Sequence, residues 1–165
     1  MADAYAKAED AVRREISALF SNAEEINPQL TFNVSDSQIK TDAELQRFLA
    51  SSELNQWKEE LEKLPNESST AVLDASIGKA KSHLTFIAGF LNKTMEAVIK
   101  SAAISQSAAS SYKTSIAAAR GAVNTALTNM SNEEQSIASQ KVTVQKIGDE
   151  LNLKLAGSVP EEIAG

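Results

Sequence analysis

His83 is the one histidine in this chain of 165 residues, and cysteine is absent. A single imidazole has no second ligand of its kind, so His-based metal sites, His triads, disulfides and thiol chemistry are all excluded. Without such a partner His83 reads as a helix-surface or boundary residue. Glu59, Glu60 and Glu62 alternate with Lys58 and Lys63, which is the pattern of a solvated helix face rather than of converging carboxylates. Glu24-Glu25 and Glu133-Glu134 read the same way. No Gly-rich phosphate loop and no spacing for paired carboxylates or a Ser/His/Asp set stands out. Trp57 could stack on a ligand, but it shares a stripe with Leu54, Leu61 and Leu64 and reads as core. The N-x-S/T triplets at Asn33, Asn66, Asn92 and Asn129 are what chance supplies in a Ser/Thr-rich chain. No catalytic residue, cofactor or metal is expected, and with them no hydrolytic or redox turnover.

What remains is architecture, and composition bounds it. Apolar residues make up 42% of the chain and aromatics only 5%; Ala, Ser, Glu, Lys and Leu dominate, as in helical bundles. Six Gly and three Pro leave few turns, so the segments between them must be long. The formal charge of −6 argues against a nucleic-acid partner or an anionic membrane surface. The acidic start MADAYAKAED lacks the apolar stretch of a signal peptide. Leu84 to Leu91, the longest nearly apolar run, falls far short of the ~20 residues a spanning helix needs. A soluble polypeptide with no direct membrane insertion is expected.

Periodicity predicts four helices, over about 3–23, 41–64, 69–101 and 110–156. In the first, Ala8, Val12, Ile16 and Phe20 recur every four residues, and Asn27-Pro28 closes it. Leu30 and Phe32 then alternate with polar neighbours in a long connection, positioned to plug the end of a bundle. The second helix has a capping box at Thr41–Glu44, with Ser35–Gln38 as a competing earlier start. Its buried face is Leu45, Phe48, Leu49, Leu54, Trp57, Leu61 and Leu64, with a slip near Ser51-Ser52. The third opens near Ser68 or Ser69 and carries an unbroken seam of Leu73, Ile77, Ala80, Leu84, Ile87, Leu91, Thr94 and Val98. These stripes leave Arg13, Arg14, Arg47 and Arg120, the only arginines, outside the core.

The fourth helix is the most informative. Ile116, Val123, Met130, Ile137, Val144 and Leu151 stand seven apart. At 1.5 Å per residue such a helix is roughly 70 Å long, about twice the first, so it should overshoot its neighbours. Its far part, Ser131 to Leu155, has a thin apolar line that suits a two-stranded coiled coil. The expected architecture is all-α: an antiparallel up-down four-helix bundle over residues 1–157, its long C-terminal helix extending as a coiled-coil arm. The interaction strip is Ile137, Val144, Ile147 and Leu151. In isolation it should either fray beyond Met130 or bury itself against a second copy, making a homodimer.

The last residues repeat the theme. Gly157 sits where a left-handed cap would end the helix, and Ser158-Val159-Pro160-Glu161 reads as a new helix start over 158–165. The chain thus reads as excised from a larger protein, with an upstream extension of helix one as mate for the strip.

Asp3 to Arg13 (DAYAKAEDAVR) resembles the opening of a helical region in some bacterial HlyD-type membrane-fusion proteins, the periplasmic adaptor subunits of efflux and secretion systems. The resemblance continues through Asn27 to Lys40 (NPQLTFNVSDSQIK), resumes at Ser111 to Leu127 (SYKTSIAAARGAVNTAL) and closes with Glu150 to Ala164 (ELNLKLAGSVPEEIA); residues 50–105 match least. It implies a non-catalytic part of an adaptor, extracytoplasmic and membrane-anchored through the full-length protein. The implied partners are neighbouring adaptor protomers, an inner-membrane transporter and outer-envelope components. The β-barrel, lipoyl-like β-sandwich and anchor of such adaptors are not in this sequence. An alternative is the extracytoplasmic ligand-sensing four-helix bundle of a receptor, which should carry an Arg-containing polar pocket between helices. A membrane-inserting toxin or secretion-tip protein would need a longer apolar hairpin.

Overall fold

The computed structural model describes residues 1–65 and 68–163, with side chains for 1–65 and 68–156. Among the described residues 81% are helical, in four α-helices and short turns, with two very small antiparallel sheets. Its order is α1 (Ala2–Asp10), a π turn (Ala11–Glu15), a 3-10 turn (Ser17–Leu19), β1 (Phe20–Ser21), β2 (Gln29–Leu30), β3 (Asn33–Val34), α2 (Ser37–Glu62), α3 (Thr70–Ile99), β4 (Ser101–Ala102) and α4 (Gln106–Ile163). Two compact units result, residues 1–130 and 131–165.

The first predicted helix is corrected most. The α conformation ends at Asp10, and the chain passes through the π and 3-10 turns into β1 instead of running helical to residue 23. The reason lies in the spacing of Ala8, Val12, Ile16 and Phe20. Four residues of α-helix overshoot a full turn by about 40°, so a strict every-fourth stripe drifts off its face. The wider π turn takes that drift back. Ala8, Val12, Ile16 and Leu19 are all fully buried as a result. Asn22, with φ 52°, then turns the chain so that Phe20 pairs with Leu30 and Ser21 with Gln29.

α2 begins at the earlier of the two starts. The Asp36 carboxylate accepts from the backbone N–H of Gln38 (2.8 Å) and Ile39 (3.3 Å), satisfying two donors that a helix N-terminus leaves orphaned. Thr41 is therefore interior. Glu44, its expected box partner, accepts from the Leu30 N–H at 2.9 Å and ties the β2 connection to the helix. The buried face is Ala43, Arg47, Ala50, Leu54 and Trp57, an uninterrupted 4-3-4-3 seam. Leu45 and Phe48 are exposed, so the expected slip at Ser51-Ser52 does not occur. In α3, Ser69 is the cap, accepting from the Val72 N–H at 3.4 Å, and the seam from Ile77 to Val98 is buried. The pairs Asp42–Lys93, Glu53–His83 and Glu60–Lys79 show that α2 and α3 run antiparallel.

Leu30 and Phe32 are buried, and the Phe32 ring tilts against Tyr112 of α4 at 5.6 Å. β3 pairs with β4, Asn33 opposite Ala102, a second strand pair where only irregular turn was expected. Within 106–130, α4 buries Ile116, Ala119, Val123, Ala126 and Met130. Ile116, Val123 and Met130, so buried, each contribute roughly 1.5–3 kcal/mol relative to exposure.

Residues 131–163 continue α4 as regular helix. The helix does not stop at 156: it passes Gly157 and Pro160 to Ile163 without the predicted cap and restart. Pro160 lacks one ladder donor, and among the described residues no glycine adopts the positive φ a left-handed cap requires. The predicted capping side chains Ser158 and Glu161 lie outside the described side chains, and Asn66 of the N-x-S/T triplets and residues 164–165 lie outside the described residues.

Candidate functional site

Three places hold the residues that could interact or react, two in the first unit and one in the second. The first is a buried arginine. Arg47 occupies a seam position of α2, has 0% exposure, and lies with its guanidinium carbon 5.9 Å from the centre of the Phe20 ring. Its Nη1 donates to the Ser51 hydroxyl and its Nη2 to Glu24. Glu24 stands in the bend between β1 and β2 with its side chain 51% exposed. It also faces Arg13, whose Nε lies 3.4 Å from Glu24 Oε2. Arg13 in turn donates to Glu9 at 3.3 Å and to Asn55 at 2.7 Å. Burial pushes Arg47 down from its ordinary value, and Glu24 opposes that shift. The Nε of Arg47 and of Arg13 are both buried without a hydrogen-bond partner.

This overturns the expectation that every arginine lies outside the core, and that Glu24 belongs to a solvated helix face. Counting back from Trp57 and Leu54 in steps of three and four lands on Ala50, Arg47 and Ala43. That signal was in the sequence. Hydrophobicity alone pointed to Leu45 and Phe48 instead.

The second place surrounds His83, which is core rather than surface. It is 4% exposed and lies flat against Trp57, ring centres 5.2 Å apart at 17°. Nδ1 is 2.7 Å from Glu53 and Nε2 is 3.3 Å from Glu60. Only the doubly protonated ring donates to both carboxylates. Seven residues before buried Phe90, His83 occupies a flanking core line that its polar identity concealed. Tyr5 completes the cluster, edge-on to Trp57 at 5.5 Å with its hydroxyl donating to Glu9 at 3.0 Å. Burial, then Glu9, pushes that hydroxyl up to about 12. Glu60 moves the other way. Partial burial acts to raise it, but hydrogen bonds from Gln56 and His83 and the Lys79 charge outweigh burial and hold it below its ordinary value.

Chemically, the His83 cluster is closed on itself. The His83 nitrogens both face carboxylates, and its face is covered by Trp57, so the ring presents no nitrogen to a substrate. Among the described residues, no three His, Asp or Glu side chains group to hold a metal ion. No described helix is long and apolar enough to cross a membrane.

The third place is the strip on residues 131–156. Ile137 is half-buried, while Val144, Ile147 and Leu151 are 69%, 59% and 56% exposed. Val142, Leu153 and Leu155 are exposed beside them. Lys146 pairs with Glu150 at 3.9 Å and Gln145 donates to Asp149 at 2.9 Å, interactions within the helix that stabilise it without covering the apolar line. No protein-family model matches this chain, and no curated protein or solved structure does either.

Proposed function

We propose that this chain is a non-catalytic assembly region of a periplasmic adaptor of the HlyD-type membrane-fusion class. Its role would be structural: to help link an inner-membrane transporter to outer-envelope components, beside neighbouring adaptor protomers. In this reading residues 1–130 form the body of an up-down four-helix bundle, and 131–155 form one strand of an antiparallel coiled coil.

One observation carries the reading. The line Ile116, Val123, Met130 is buried, and the same line at the same spacing through Val144 and Leu151 is exposed. An apolar seven-residue repeat maintained over exposed helix is the pattern of a seam awaiting a facing helix. Leaving such side chains in water forfeits roughly 1.5–3 kcal/mol for each that would otherwise be fully buried. Further support comes from the resemblance, which falls on both parts of α4: Ser111 to Leu127 and Glu150 to Ala164.

The test is oligomeric state. In isolation the strip is covered by a second copy, because a symmetric antiparallel pairing satisfies it in both chains. Light scattering should report a dimer, and Ile137→Asp with Val144→Asp should yield a monomer whose first unit stays folded. A monomeric wild type with slow amide exchange through Leu151 would remove the physical basis of the reading.

A further inference from the structure

The arginine cluster carries an inference independent of the adaptor reading, which rests on residues 131–156. A guanidinium presents Nε and Nη2 side by side, an edge matched to the two oxygens of one carboxylate. On Arg47 only half of that edge is used. Nη2 donates to Glu24, while Nε, fully buried, has no partner. An unmade hydrogen bond on a buried charged donor is expensive, and burying Arg47 at all is hard to justify as stabilisation, since an apolar side chain of similar size does as well or better. The arrangement is poor packing but apt for a group that receives a carboxylate.

The one carboxylate bonded to Arg47 is open to displacement, although Arg13 also faces it. Glu24 is half-exposed and sits in a bend rather than on a helix, so its carboxylate gains water on leaving. A cleft of about 210 Å³ opens beside it, lined by Glu24, Glu25, Phe48, Ser51, Ser52 and Asn55. Ser51 and Asn55 are themselves partners of Arg47 and Arg13. Glu24 and Ser51 line the cleft and hold Nη2 and Nη1 of Arg47, so withdrawal of Glu24 joins the cleft to the guanidinium. Its hydroxyls and amide suit a small polar ligand, and the Glu25 carboxylate in its wall disfavours dianions.

We propose that the Nε/Nη2 edge of Arg47 is a binding site for a small monocarboxylate, reached through the Glu24–Asn55 cleft and occupied in this structure by Glu24 as a tethered competitor. The incoming carboxylate takes both donors of the edge, and Glu24 swings to solvent. The bend between β1 and β2, which Glu24 holds to α2, is released in the same event.

The probe is sodium acetate at constant ionic strength, with sodium chloride as the control, read on the Arg47 Nε–H resonance of the full chain. In Glu24→Ala that resonance should shift saturably with acetate and ignore chloride. The wild type should need roughly tenfold more acetate or beyond, because tethered Glu24 competes at a high effective concentration. Arg47→Lys should abolish the saturable response of the neighbouring Ser51 and Asn55 amides. Should Glu24→Ala fail to fold, restoration of its helical signal by acetate but not chloride would support the site equally. Glu24→Gln, which keeps the bend and loses the charge, is titrated in parallel. A lack of saturable acetate response in both Glu24 variants, or an equal response to chloride, overturns the proposal.

Discussion

α4 contains the same repeat twice in two different situations. From Ile116 to Met130 every seventh residue is buried, and beyond it Val144 and Leu151 stand in water. The seven-residue spacing does not change at Met130; what changes is the flanking line, where buried Ala119 and Ala126 give way to Glu133 and Gln140, and the presence of side chains opposite. An apolar repeat therefore specifies a seam, and whether the seam is filled depends on what else the chain or its partners bring to it. The two stretches should consequently answer very differently to identical substitutions.

The largest contrast is expected from a buried charge. Val123→Asp places an unpaired carboxylate in the packed stretch and should destabilise the first unit by about 4 kcal/mol or more. Val144→Asp should leave that unit within about 0.5 kcal/mol of wild type. Urea unfolding followed by the fluorescence of Trp57, the one tryptophan and a buried residue of the first unit, measures both. Equal losses would mean that the exposed strip is coupled to the core after all.

Within the packed unit, the Arg47–Glu24 pair sharpens the same contrast between filled and unfilled environments. Glu24→Gln leaves a buried guanidinium without its counter-charge and should cost about 2 kcal/mol, below the usual loss for a fully buried pair because Glu24 is half-exposed. Arg47→Met removes the buried charge itself and should fall within about 1 kcal/mol of wild type, on either side. Thermal unfolding of the two variants checks the order; a costlier Arg47→Met would show that the ion pair is a net stabiliser.

His83→Phe retains the stack on Trp57 but strands Glu53 and Glu60. Both carboxylates have some access to water, so the loss should be about 1–2 kcal/mol, again by urea titration. The smallest effect concerns acid. Glu60 is held below its ordinary value of 4.5, so its contribution is fully present above that pH and is lost as pH falls through the lowered folded value. Glu60→Gln should flatten the dependence of stability on pH below 4.5 by lowering stability slightly at neutral pH while matching the wild type in acid; an unaltered acid slope would assign that slope to other carboxylates.

Legibility followed the kind of signal. The start of α3 near Ser68 or Ser69, the α3 seam and the long repeat of α4 could be read because each is local or repeated. The π turn at Ala11–Glu15 hid in a stripe that looked regular, since a spacing of four fits an α-helix only approximately. His83 and Arg47 were hidden by polarity. Both hold seam or flanking positions by count, yet each is buried only because remote groups meet it: Glu53, Glu60 and Trp57 for one, Glu24, Ser51 and Phe20 for the other.

By itself the sequence determined that this protein is helical, that α3 starts near Ser68 or Ser69, and where the apolar lines of α3 and α4 run, because capping and periodicity act within a few turns of backbone. Only the tertiary structure decided which members of those lines are covered. It chose Arg47 over Leu45 and Phe48, bent the first helix into β1, and ended burial at Met130. The physical reason is that burial is a property of what lies opposite, and no residue carries its neighbour's position in its own identity.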